Sequence, residues 1–175
     1  MNRCRRSMSA MAGAALLALL LAGCDSGNEA GEGHDEPISD GWLGSAASDA
    51  ERFRELEGYL GGFSSAMWET GYRYQHVHQA LLDDNFELAA YHWDKIGSAI
   101  RNGDRKRPGR QQNSDAIFLD AVWERVLTEF ESGEAEAAWA AFEQGRAACQ
   151  ACHEAEDVSF MNDQPMFTEL RAPDA

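Results

Sequence analysis

The chain has 175 residues, enough for one domain with a proper core. Its 30 Asp and Glu against 15 Lys and Arg leave a formal charge of −15. That argues against nucleic acid as a partner and favours a soluble body steered toward basic surfaces. Residues 1–23 read as a secretory signal. Arg3, Arg5 and Arg6 form a positive start, and Ala10 to Ala22 is an apolar run too short to span a bilayer comfortably. The signal carries three Arg and no acid, so the remainder holds 12 Lys and Arg against 30 acids, a formal −18.

The signal ends Leu21-Ala22-Gly23-Cys24. This resembles the lipobox of bacterial lipoproteins. The resemblance implies that Cys24 becomes the first mature residue and carries lipid, tethering the protein to the periplasmic side of a membrane. Asp25 favours the inner membrane by the enterobacterial rule, with the outer membrane as the other outcome. Cys4 leaves with the signal, so Cys149 and Cys152 are the two cysteines left free, in an oxidising compartment. Residues 24–47 are rich in Gly, Ser, Asp and Glu and read as a flexible acidic tether. Residues 48–175 form the domain.

From Ser48 the pattern is helical. Ser48 or Asp49 caps a first piece that runs to about Leu60, where Gly61-Gly62 breaks it. Phe63, Met67, Tyr74, His78 and Leu81 then recur at helical spacing and predict a helix over 63–82. Asp83-Asp84-Asn85 is a turn that caps the next helix, over 86–102, with Leu88, His92, Ile96 and Ala99 or Ile100 inward. Gly103, Pro108 and Gly109 punctuate a basic loop, Arg101 to Arg110. Ser114 or Asp115 caps a helix over 115–132, with Leu119, Val122, Val126 and Phe130 inward. A last helix over 134–155 buries Ala135, Trp139, Phe142 and the stem of Arg146. No strand pattern appears. Four helices on mostly short loops predict an all-α, antiparallel up-down-up-down four-helix bundle.

The last helix ends Cys149-Gln150-Ala151-Cys152-His153. Zinc needs four ligands, and this motif offers three with no second Cys pair. A thioredoxin-like dithiol sits where a strand enters a helix, and no strand is predicted. A disulfide between the two would strain a continuous helix. Covalent haem c meets every constraint. Positions i, i+3 and i+4 share a helix face, so both thiols reach the vinyl-derived carbons while His153 binds iron.

This motif on the last helix of a four-helix pattern resembles the cytochrome c′ and c-556 class. The likeness covers architecture and motif position over about 63–155. A closer resemblance is to small bundle-type bacterial c-type cytochromes. It rests on Gly71-Tyr72-Arg73-Tyr74, the stretch Asn85 to Tyr91, Arg105-Lys106-Arg107-Pro108-Gly109-Arg110 and the closing motif. It implies one covalent haem and an electron-transfer role, and supplies no substrate. The c′ class often pairs through its first two helices, so a homodimer is an expectation too.

Antiparallel geometry puts the start of the helix over 63–82 level with the haem, at about 1.5 Å of rise per residue. Met67 is therefore the expected sixth ligand, giving a low-spin electron carrier. If Met67 is only core, the iron is five-coordinate and binds NO or CO. Met161 and Met166 would serve only if the tail folded back. Gly71, one turn after Met67, leaves room for the porphyrin. Phe63, Tyr74, Phe118 and Phe160 are candidate pocket walls. Arg101, Arg105, Arg107 and Arg110 are candidates for pairing with the propionates. No catalytic dyad appears, since Asp83-Asp84 reads as capping charge. The expected function is electron transfer rather than enzymatic catalysis, with a basic redox protein as partner.

Overall fold

The computed structural model describes residues 41–173. The predicted signal, the predicted lipidation site at Cys24 and most of the predicted tether lie outside the described residues. Among the described residues the structure is all-helical, with no strand. None of its helices is long and apolar enough to cross a membrane.

Helix α1 spans Asp49–Leu60. Ser48 caps it, its hydroxyl accepting from the Glu51 amide at 3.2 Å. The helix buries no residue. Gly61 ends it at φ +67°, a left-handed value that glycine adopts freely. Helix α2, Phe63–Leu82, then runs to the predicted turn. There Asn85 caps α3 through its side-chain oxygen, which accepts from the Leu88 amide at 3.1 Å.

Helix α3 spans Phe86–Lys106, four residues beyond the predicted end. Gly103 does not stop it. A Cβ at Gly103 would lie 2.9 Å from both Ala66 and Phe63 of α2, so the glycine allows a close approach of the two helices there. The expected basic loop is therefore mostly helix. Arg101 to Lys106 close α3, and Pro108–Arg110 is a 3₁₀ turn. The buried stripe of α3 is also rotated from the expected one. Leu88 is exposed, while Ala89, Ala90 and Trp93 enter the core beside Ile96 and Ile100.

The next helix starts earlier than predicted and has no cap at Ser114 or Asp115. Helix α4, Gln111–Asn113, passes without a break through a π-helical stretch, Ser114–Trp123, into α5, Glu124–Ser132. Ser114 is buried instead, its hydroxyl 2.9 Å from each carboxylate oxygen of Asp104. Gly133, at φ +73°, ends α5. Helix α6 spans Ala135–Ala155. Its inner face is Ala138, Ala141, Phe142, Gly145 and Ala148, and Ala135 is exposed at its first turn.

The core interlocks around Trp93, which is 0% exposed. Its ring occupies the space a side chain would fill at Gly145, where a Cβ would be 2.5 Å from the ring. Its indole N–H donates to the Trp123 carbonyl at 2.9 Å, and the Trp123 indole donates back to the Trp93 carbonyl at 3.3 Å. Gly97 clears the way for the Trp123 ring in turn. Two glycines thus let two indoles bridge α3 and the end of the π-helical stretch without a buried orphan N–H. After α6 a 3₁₀ turn, Ser159–Asp163, and a short helix α7, Pro165–Thr168, carry the tail back across α6 and α2.

Candidate functional site

Cys149, Cys152 and His153 lie in the last two turns of α6, all three half-buried. A continuous helix places i, i+3 and i+4 on one face, and α6 is unbroken across the motif. Both cysteines are free thiols. Burial, with the nearby Cys152 second, pushes the Cys149 thiol up to about 12. Burial followed by the charges of Glu156 and Asp104 raises Cys152, against the opposing pull of Arg110. Both sulfurs are neutral at physiological pH. A reactive dithiol needs the opposite, a lowered pKa. Among the described residues no three or more His, Cys, Asp and Glu side chains gather as a metal cage.

The end of α6 docks against the end of α3 and the start of α4. Arg110 pairs with Glu156, and the Asn113 amide donates to Glu156 at 2.7 Å and to the Ala155 carbonyl at 3.3 Å. Arg110 also lies over the Phe63 ring, 5.6 Å from its centroid, which brings the start of α2 to the same end. Buried Asp104 belongs here too. Burial raises its carboxyl above the ordinary value, against the lowering effect of the Ser114 hydroxyl.

The four candidate arginines separate. Arg110 is the one beside the motif, and Arg101 stacks on Trp123, 4.4 Å from its ring. Arg107 leans on Gly62 and donates to the Lys106 carbonyl at 2.6 Å. Arg105 is exposed, 3.5 Å from the Asn102 side-chain oxygen. Phe118 is buried under Trp93, at 5.4 Å between ring centroids, and Phe160 is 65% exposed.

On α2, Phe63 and Met67 are half-buried against the core. Tyr74 is buried and stacks on Phe142 at 4.7 Å. Burial, then the neighbouring Cys149, raises its phenol well above the usual range, so it stays protonated. The Tyr74 hydroxyl and the Thr70 hydroxyl, one turn apart, are both buried without a hydrogen-bond partner. A buried unpaired hydroxyl is expensive, so both mark an unmet polar demand on this face of α2. A polar-edged cofactor or its ligand would satisfy these two hydroxyls.

The space beside Gly71 is taken by the tail. A Cβ there would lie 3.0 Å from the Met166 methyl. The tail does fold back, contrary to the expectation that set Met161 and Met166 aside. Met166 is half-buried against α2, and Met161 is exposed. Phe167 packs edge-on against the His153 ring at 5.5 Å. The sequence reading missed Asn162, whose side-chain oxygen is 2.8 Å from His153 Nδ1. Its only local signal is its place nine residues past a histidine, which no periodicity flags.

His76 and His92 face each other from α2 and α3, 5.2 Å between ring centroids. Burial, then His76 and Arg73, lowers the His92 pKa. A groove of about 980 Å³ is lined by Asp83, Asp84, Glu87, Asp94 and Glu131, among others, at the α2–α3 turn. That turn and the motif lie at opposite ends of α3, about 30 Å apart at 1.5 Å per residue. No family model, curated protein or solved structure matches the chain.

Proposed function

We propose that the chain is a mono-haem c-type cytochrome acting in electron transfer, held to a periplasmic membrane face through Cys24. Cys149 and Cys152 would hold haem c by thioethers, with His153 as the iron ligand. The observation that carries this reading is the state of the motif. Two neutral, half-buried thiols share one helix face with a histidine whose Nδ1 is engaged and whose Nε2 is left for iron. The haem supplies one-electron chemistry between its ferric and ferrous states. The protein's part is to exclude water and hold the ligand.

The helix contacts support the antiparallel four-helix bundle within this proposal. The end of α6, the end of α3, the start of α4 and the start of α2 meet at one end. Met67 follows Phe63 by about one turn, which keeps it the candidate sixth ligand. Arg110 is the best-placed partner for a propionate, ahead of Arg105 and Arg107. The formal charge of −15 favours a redox partner with a basic surface.

One observation favours a second reading, a five-coordinate haem that binds NO or CO. The unpartnered Thr70 and Tyr74 hydroxyls offer donors to a small ligand at the iron. One experiment separates the two. The full chain is produced with the machinery that attaches haem covalently, and its reduced spectrum is recorded with and without CO. The carrier reading expects a low-spin spectrum unchanged by CO and lost in Met67→Ala. Rapid CO binding by the native protein selects the gas-binding reading. Absence of covalent haem, or covalent haem retained in the Cys149→Ser, Cys152→Ser double variant, defeats both.

A further inference from the structure

The tail after α6 holds the histidine. The 3₁₀ turn brings Asn162 beside His153, and its amide is tied at both ends. Its NH₂ donates to the Gln150 carbonyl at 3.2 Å, so its oxygen faces His153 Nδ1 at 2.8 Å. A carboxamide oxygen can only accept, so Nδ1 carries the ring proton, and in the neutral ring Nε2 keeps its lone pair. Phe167 closes the second side of the ring, edge-on at 5.5 Å. Phe167 is itself fixed. It is buried, lies 6.0 Å from the Tyr74 ring, and its carbonyl accepts from Arg171 at 2.7 Å.

We propose that Asn162 is the positioning residue for His153, setting its tautomer and aiming Nε2 at the iron through a hydrogen bond of the Asn162 side chain to Nδ1. This rests on the haem reading above. The partner of a ligating histidine's other nitrogen tunes the basicity of the ligand. A neutral amide accepts the Nδ1 proton without drawing it away. A carboxylate in its place would pull on that proton, make the imidazole a stronger donor and favour ferric iron. An apolar residue would do the reverse.

The test compares Asn162→Asp and Asn162→Leu in the full chain. In the haem-loaded protein the midpoint potential should fall in Asn162→Asp and rise in Asn162→Leu. A residue that merely packs the tail would not reverse the sign with the charge of its replacement. Shifts of the same sign, or none in either variant, would overturn the proposal. The second readout needs no haem. Nitrogen-15 spectra of the His153 ring in the full chain purified without haem should show the Nδ1–H tautomer, and Asn162→Leu should move the ring toward Nε2–H. A native ring that is already mostly Nε2–H would sink it. A chain that takes up no haem defeats the cytochrome reading, while the ring spectra still decide the role of Asn162.

Discussion

Trp93 and Tyr74 are both large aromatic side chains with a polar atom, and both are sealed from water, at 0% and 2% exposure. Around Trp93 every demand is met. The indole has its carbonyl, the reciprocal indole has its own, and two glycines make room for both rings. Around Tyr74 the ring is packed as well, stacked on Phe142, but its hydroxyl and that of Thr70 have no protein partner. The first region is complete as protein. The second, against Cys149, is shaped by protein and left chemically open. Packing density alone does not tell them apart, whereas polar satisfaction does.

The sharpest way to break this comparison is at Gly145. A Cβ there meets the Trp93 ring, which its hydrogen bond prevents from yielding. Gly145→Ala should cost about 1–3 kcal/mol, the usual penalty of overpacking. Gly58 in α1 has nothing within 4 Å of a Cβ. Gly58→Ala should be neutral or gain up to about 1 kcal/mol from helix propensity. Urea unfolding of both variants measures the contrast. Equal midpoints would mean that the indole interlock is not tight.

Tyr74→Phe probes the open region. In the chain without haem it removes a buried hydroxyl that has no partner, so stability should hold or rise by about 1 kcal/mol. A loss of that size in the same unfolding experiment would mean that the hydroxyl is already satisfied within the protein. The gas-binding reading adds that Tyr74→Phe loosens NO or CO in the haem-loaded form.

The smallest effect lies at His92, outside both regions. Its folded pKa is lowered by burial, then by His76 and Arg73, with Tyr91 packed beside it at 5.3 Å. The unfolded chain therefore takes up a proton first as pH falls below about 6.5. The associated stability is complete above that pH and is lost as pH drops toward the folded value. His92→Gln should flatten this part of the stability curve, read as the melting temperature between about pH 7 and pH 5. An unchanged slope would assign the pH dependence to other groups.

Much of this was legible in the chain. The break at Gly61, the Ser48 and Asn85 caps and the helix over 63–82 are local events, decided by the backbone freedom of glycine and by short side chains that reach neighbouring amides. The Cys149–His153 motif stood out for the same reason, since its spacing is read within a single helix. What the sequence could not show depends on partners far along the chain. Gly103 reads as a stop and is a contact, because only α2 reveals what lies 2.9 Å away. Ser114 reads as a cap and is a buried partner of Asp104. Leu88 and Trp93 are both large and apolar, and which one turns inward was decided by the hole that Gly145 leaves on α6.

The tail shows the division most clearly. By itself the sequence determined that α6 would carry two cysteines and a histidine on one face, because helix geometry requires it. Only the tertiary structure brought Asn162 to that histidine and Met166 to Gly71, since a hydrogen bond or a packed methyl between distant residues has no period to read.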